Sequence, residues 1–104
     1  MRAETLKGHL DFLLLAILAA EPAHGYRIID ELKRRSGGAF ELPEGTVYPA
    51  LHRLEEGGLV ASTWADSSGR RRRVYRLTAR GRRRLAGARR DWQSFARAVE
   101  AVVA

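Results

Sequence analysis

Four consecutive arginines, Arg70, Arg71, Arg72 and Arg73, follow the turn signal Asp66-Ser67-Ser68-Gly69. The residues on both sides of that turn favour strands. Leu59 to Ala65 carries Val60, Thr63 and Trp64, and Arg71 to Leu77 carries Val74 and Tyr75. Successive side chains of a strand point to opposite faces. A run of four arginines therefore puts charge on both faces of one hairpin end. A core does not bury unpaired guanidinium groups. That end of the hairpin must stand in solvent or against phosphate.

The rest of the charge is distributed in the same sense. Residues 67–104 hold 12 basic and 2 acidic residues, net +10, while residues 1–66 hold 7 basic and 10 acidic, net −3. No acid occurs from Ser67 through Arg90, so the run has no partner along the chain. Such a field attracts polyanions. Of the 19 basic residues 17 are arginine, the side chain suited to bidentate contact with phosphate or guanine. A GC-rich genome would favour arginine over lysine but would not cluster it.

Other classes are excluded by what the sequence omits. It has no cysteine, which removes disulfides, thiolate zinc sites and cysteine nucleophiles. The longest apolar run, Phe12 to Ala20, is nine residues, against about 20 for a membrane span. Glu4 and Asp11 flank it where a signal peptide would need a basic region and a cleavage site. The expectation is a cytoplasmic, nucleoid-associated protein with no membrane contact. His9, His24 and His52 are far apart in sequence without ligand-spaced partners, so no metal or other cofactor is expected. No nucleophile with a base, phosphate loop or paired acids suggests an enzyme. The 104 residues suit one compact domain.

Helical periodicity accounts for most of the chain. From Thr5 to Ala20, Leu6, Leu10, Leu13, Leu14, Ile17 and Leu18 line one face, and Phe12, Leu15 and Ala19 form a second apolar strip. The second strip is expected against another subunit. A second helix is predicted from Gly25 to Arg35, with His24 as a candidate cap and Lys33, Arg34 and Arg35 suiting its C-terminal dipole. A third runs from about Glu44 to Glu56, with Val47, Ala50, Leu51 and Leu54 inward and Gly45, Tyr48, Pro49, His52 and Arg53 outward. Pro49 is placed in its first turn, where backbone N–H groups lack intrahelical partners. Gly57-Gly58 ends it with an αL cap. Thr78 caps a last helix reaching about Val103, whose Leu85, Ala88, Trp92, Phe95, Val99 and Val102 step by three and four as a heptad seam.

Three helices, a two-stranded wing and a long helix make a mainly α winged helix-turn-helix. The DNA-binding unit is residues 1–77, with a dimerisation helix at 78–104 as part of the same compact body. Specific residues then match a family. They are Leu6-Lys7-Gly8, Leu13–Leu18, His24-Gly25-Tyr26, Gly45-Thr46-Val47-Tyr48-Pro49-Ala50-Leu51, Arg53-Leu54-Glu55, Gly58-Leu59-Val60 and Tyr75-Arg76-Leu77-Thr78. Together they resemble the PadR family of transcriptional regulators over roughly residues 6–92, in its short form with one arm helix. The resemblance implies a homodimer on a pseudo-palindromic operator, acting as a repressor, with phenolic, other aromatic or drug-like effectors.

The candidate DNA contacts are Thr46, Tyr48, Pro49, His52 and Arg53 for the major groove, and Arg70, Arg71, Arg72 and Arg73 for phosphate or the minor groove. The plainer reading is a solvated face with Arg53 paired to Glu55 or Glu56. Thr46 is either a helix cap or a phosphate donor. Candidate dimerisation residues are Leu10, Leu14, Leu85, Ala88, Trp92, Phe95, Val99 and Val102, against a plainer packing of the seam on the chain's own first helix. Trp92 and Phe95 are also candidates for binding a flat aromatic effector across a two-fold axis. Double-stranded DNA, a second copy and a small aromatic effector are thus the expected partners. A sequence-tolerant architectural or RNA-binding protein is the alternative, and a protein-interaction module a third.

Overall fold

Gly8 holds φ at +88°, a conformation that interrupts a helix, and the first helix, α1, spans Leu10–Ala20. The structure, a computed structural model, describes Leu6 and residues 8–104. The predicted start at Thr5, and Lys7 of the Leu-Lys-Gly motif, lie outside the described residues. Leu6 is buried and its carbonyl accepts the His9 N–H at 2.8 Å, so this turn docks ahead of α1.

After α1 come β1 (Ala23–His24), α2 (Gly25–Arg35), α3 (Glu44–Glu56), β2 (Val60–Ser67), β3 (Arg70–Leu77) and α4 (Ala79–Val103). The wing has three strands, not the two expected, in the order β1-β3-β2 and antiparallel throughout. Ala23 pairs with Tyr75 and His24 with Val74. Two residues between Pro22 and Gly25 are too few to display the alternation that marks a strand. The hairpin is also longer than expected. Asp66 and Ser67 belong to β2, opposite Arg71 and Arg70. Only Ser68 (φ 51°) and Gly69 (φ 75°) form the turn, and positive φ at both positions matches the strands' right-handed twist.

α1 is the centre of the core. Leu14, Leu15 and Leu18 are at most 1% exposed, and they meet Ile28 and Leu32 of α2, Val47, Ala50 and Leu51 of α3, and Tyr75 of β3. Two expectations are corrected here. Leu15 of the second apolar strip is consumed inside the protomer, with Phe12 and Ala19 packed partly against the same core. Leu14 and Leu85, expected in a dimer seam, are 0% and 3% exposed within one chain and belong to this core. A small domain needs every available leucine to close one core, so α1 buries most of its circumference locally.

α3 is capped by Pro43, and it starts at Glu44. Pro49 is consequently its sixth residue and lies in the second turn, a correction to its predicted place in the first. Its missing N–H falls opposite the carbonyl of Gly45, which is exposed and can be hydrated. At the other end Gly58 (φ 75°) donates to Glu55 O and Leu59 to Leu54 O, the paired bonds of a Schellman cap. These bonds turn the chain directly into β2.

Candidate nucleic-acid interface

Burial of Val47, Ala50, Leu51 and Leu54 fixes the rotation of α3. That rotation leaves Pro49, His52 and Arg53 exposed on its far side. Arg53 does not pair with Glu55 or Glu56. Its Nη2 lies 3.9 Å from Asp11 Oδ1 on α1, and both side chains are more than half exposed. Such a contact is weak and screened, so a phosphate or a guanine edge can displace it. Thr46 is half-buried and does not cap the helix, since Pro43 holds that position. Tyr48 is half-buried rather than free, with its ring set edge-on to Tyr26 at 6.4 Å and 79°.

The wing divides its four arginines between two faces. Arg71 and Arg73 flank the exposed Trp64 ring at 5.4 and 5.3 Å, a double cation–π contact. Arg73 is also tied to α3. Its Nε donates to Ser62 Oγ at 2.7 Å, Ser62 Oγ donates to Glu55 Oε2 at 2.6 Å, and Arg73 Nη2 lies 3.8 Å from the same carboxylate. Folding therefore supplies a partner for Arg73 that the local sequence lacks. Arg72 lies on the other face, over the Tyr26 ring at 6.0 Å and with Nη1 3.2 Å from His24 Nε2. Arg70 to Arg73, Tyr26, Tyr48 and His52 border one concavity of about 340 Å³ between the wing and α3.

His24 caps α2 as the sequence suggested, with Nδ1 accepting the Arg27 N–H at 3.2 Å. Burial, then the Arg72 and Arg27 charges, hold its pKa below the ordinary histidine value, with Asp30 opposing. The neutral ring is the form that can accept at Nδ1. Tyr48 and Tyr26 are pushed the other way. Burial, then Glu44, raises Tyr48, and a hydrogen bond to Glu44 raises Tyr26. Both phenols stay protonated at neutral pH, with the Tyr26 proton directed to Glu44.

The sequence offered Tyr26 as a core or phosphate-contacting residue, His24 only as a cap and Trp64 only as a strand residue. The His-Gly-Tyr turn was the available signal for the first two. Nothing local marked Trp64 as the residue between two arginines, because that follows from strand register.

α4 carries the heptad residues. Past Leu85 and the half-buried Ala88, the seam is bare. Trp92 is 47%, Phe95 59% and Val102 85% exposed, with Val99 between them also exposed. Trp92 stacks edge-on to His9 at 5.9 Å and lies 6.1 Å from Phe95. With Leu6, Phe12, Leu13 and Phe40 these aromatics line an open apolar groove of about 450 Å³. Leu10 packs half-buried at the start of α1. Among the described residues no helix is long and apolar enough to cross a membrane.

A helix presented beside an arginine-bearing wing defines a winged helix-turn-helix DNA-binding protein. The profile of the transcriptional regulator PadR-like family matches residues 14–87, and the chain belongs to that family. A transcriptional regulator of Mycobacterium tuberculosis is 42% identical over 81 residues, spanning 78% of this chain and 73% of that protein. A PadR family regulator from Eggerthella lenta superposes with a TM-score of 0.83 at 32% identity, covering 96% of this chain and 86% of the other. A regulator from Clostridium thermocellum shares the fold at a TM-score of 0.88 with 23% identity, covering 100% and 99% of the two chains. The protein is thus a DNA-binding transcriptional regulator, and members of this family are regulators, not enzymes.

Proposed function

We propose that the protein is a homodimeric repressor acting on the nucleoid in the cytoplasm, with an operator affinity that a small aromatic effector lowers. The observation that carries the DNA half is the pairing of an exposed Pro49-His52-Arg53 face on α3 with the arginine wing beside it. α3 supplies sequence choice at base edges, with Thr46 and Tyr48 at its start donating to phosphate. Arg70 to Arg73 supply affinity that depends on salt and little on sequence.

The dimer half rests on the bare seam of α4. Trp92, Phe95, Val99 and Val102, with Ala88 and Leu10 at its inner end, present an apolar stripe larger than isolated surface residues would make. A second copy packed there buries the stripe and brings two Trp92 rings near the symmetry axis. A planar aromatic compound bound between them would release DNA only by favouring one spacing of the reading heads over another.

Selection from a pool of random duplexes tests this reading. It should recover a pseudo-palindrome with two half-sites about one helical turn apart. Recovery of no preferred sequence would favour a sequence-tolerant architectural role. For the effector, Trp64 is replaced by phenylalanine so that fluorescence reports Trp92 alone. Saturable quenching by a planar aromatic, with a matching loss of operator binding, is expected. A flat titration across such compounds removes the effector from the account.

A further inference from the structure

Gly25 opens α2, although glycine is among the poorest helix formers. Its backbone does not require a glycine, since its φ lies outside the positive region. The space beside it explains the choice. A Cβ on Gly25 would overlap the Oη, Cζ and Cε1 atoms of Tyr48. The tyrosine ring occupies the volume where any other residue would place a side chain.

We infer that Gly25 is a positioning residue for DNA binding, because the side chain it lacks is the seat of the Tyr48 ring. The inference rests on the DNA role of Tyr48 proposed above. Tyr26 closes one side of the seat with its ring edge, and the backbone of Gly25 forms the floor. The phenol is then preset against Gly25, in the concavity that His52 also borders, rather than free to rotate. Preset donors lose less conformational freedom on binding.

The nature of the clash makes the idea testable. The atoms in the way are the far end of a flexible side chain. Gly25→Ala therefore displaces the ring and leaves the backbone in place. Gly81 is different, since there a Cβ would strike the backbone carbonyl of Leu59.

The experiment is a double-mutant cycle of Gly25→Ala and Tyr48→Ala. Affinity is read by anisotropy on the duplex selected from the random pool, with a shuffled duplex beside it and folding checked by circular dichroism. Each single variant should weaken operator binding on the order of tenfold. In the Tyr48→Ala background, Gly25→Ala should have no further effect. An equal loss from Gly25→Ala in both backgrounds, or no loss in the wild-type background, would overturn the inference. A Gly25→Ala chain that fails to fold while the double variant folds would overturn it too, because the ring is required to yield. If Tyr48→Ala alone leaves operator affinity unchanged, the DNA role of Tyr48 is what fails, and the positioning role falls with it.

Discussion

Thr78 Oγ1 donates to the carbonyl oxygen of Gly58 at 2.6 Å and accepts the Gly81 N–H at 3.0 Å. One hydroxyl thus caps the long arm and binds it to the residue that ends α3. The Thr78 N–H adds a bond to Leu59 O at 3.2 Å. α3, the root of the wing and α4 meet at this junction.

Thr78→Ala should lower stability by about 1–2 kcal/mol, the usual cost of a lost N-cap. A thermal melt would show this as a fall of several degrees. Thr78→Ser keeps the hydroxyl and should recover most of it.

Gly81→Ala should cost more, roughly 1–3 kcal/mol, because the new methyl meets the Leu59 carbonyl and the flexible Leu77 side chain cannot relieve it alone. The melting temperature is the readout. A neutral result would mean α4 can shift away from β2, and the junction would then not be rigid.

His24 links pH to stability. Its folded pKa lies below the ordinary value of 6.5, so the unfolded chain binds the extra proton first. The contribution of the neutral ring is complete above about pH 6.5 and is lost as pH falls from there through the depressed folded value. Protonation removes the acceptor for the Arg27 N–H and sets a cation against Arg72. His24→Asn keeps a capping oxygen without titrating. Denaturant midpoints of the two proteins should separate as pH drops from 7.5 to 5, with the wild type falling below His24→Asn. Parallel curves would remove His24 as the source.

Much of this architecture is legible in the residues. Local periodicity places α2, α3 and α4 within a residue or two, because burial repeats every three to four positions on each. Contacts between distant segments are not legible in that way. β1 is two residues long and exists only because Tyr75 and Val74 lie opposite it. The fates of Leu14 and Leu85 depend on how α1 crosses α4, which a seam pattern does not state. Charge showed that Arg70 to Arg73 must face outward, but only register reveals that Trp64 separates Arg71 from Arg73 and that Glu55 reaches Arg73. Gly25 matched the family motif without a reason until the ring of Tyr48 was placed over it.

The two halves of the interface should separate by salt. Arg71→Ala should weaken operator and shuffled DNA alike and reduce the salt slope by about one. His52→Ala and Arg53→Ala should instead relax preference at particular positions, by about 1–3 kcal/mol for a lost base contact. A purely electrostatic loss in all three would assign no reading role to α3.

Anisotropy titration of the wild-type protein tests whether α3 and the wing together read a specific site. Its selected duplex and a shuffled duplex of equal composition are compared at two salt concentrations. A preference above about a hundredfold is expected, with a steep salt slope for both duplexes. Equal affinity for the two, at either salt concentration, would contradict it.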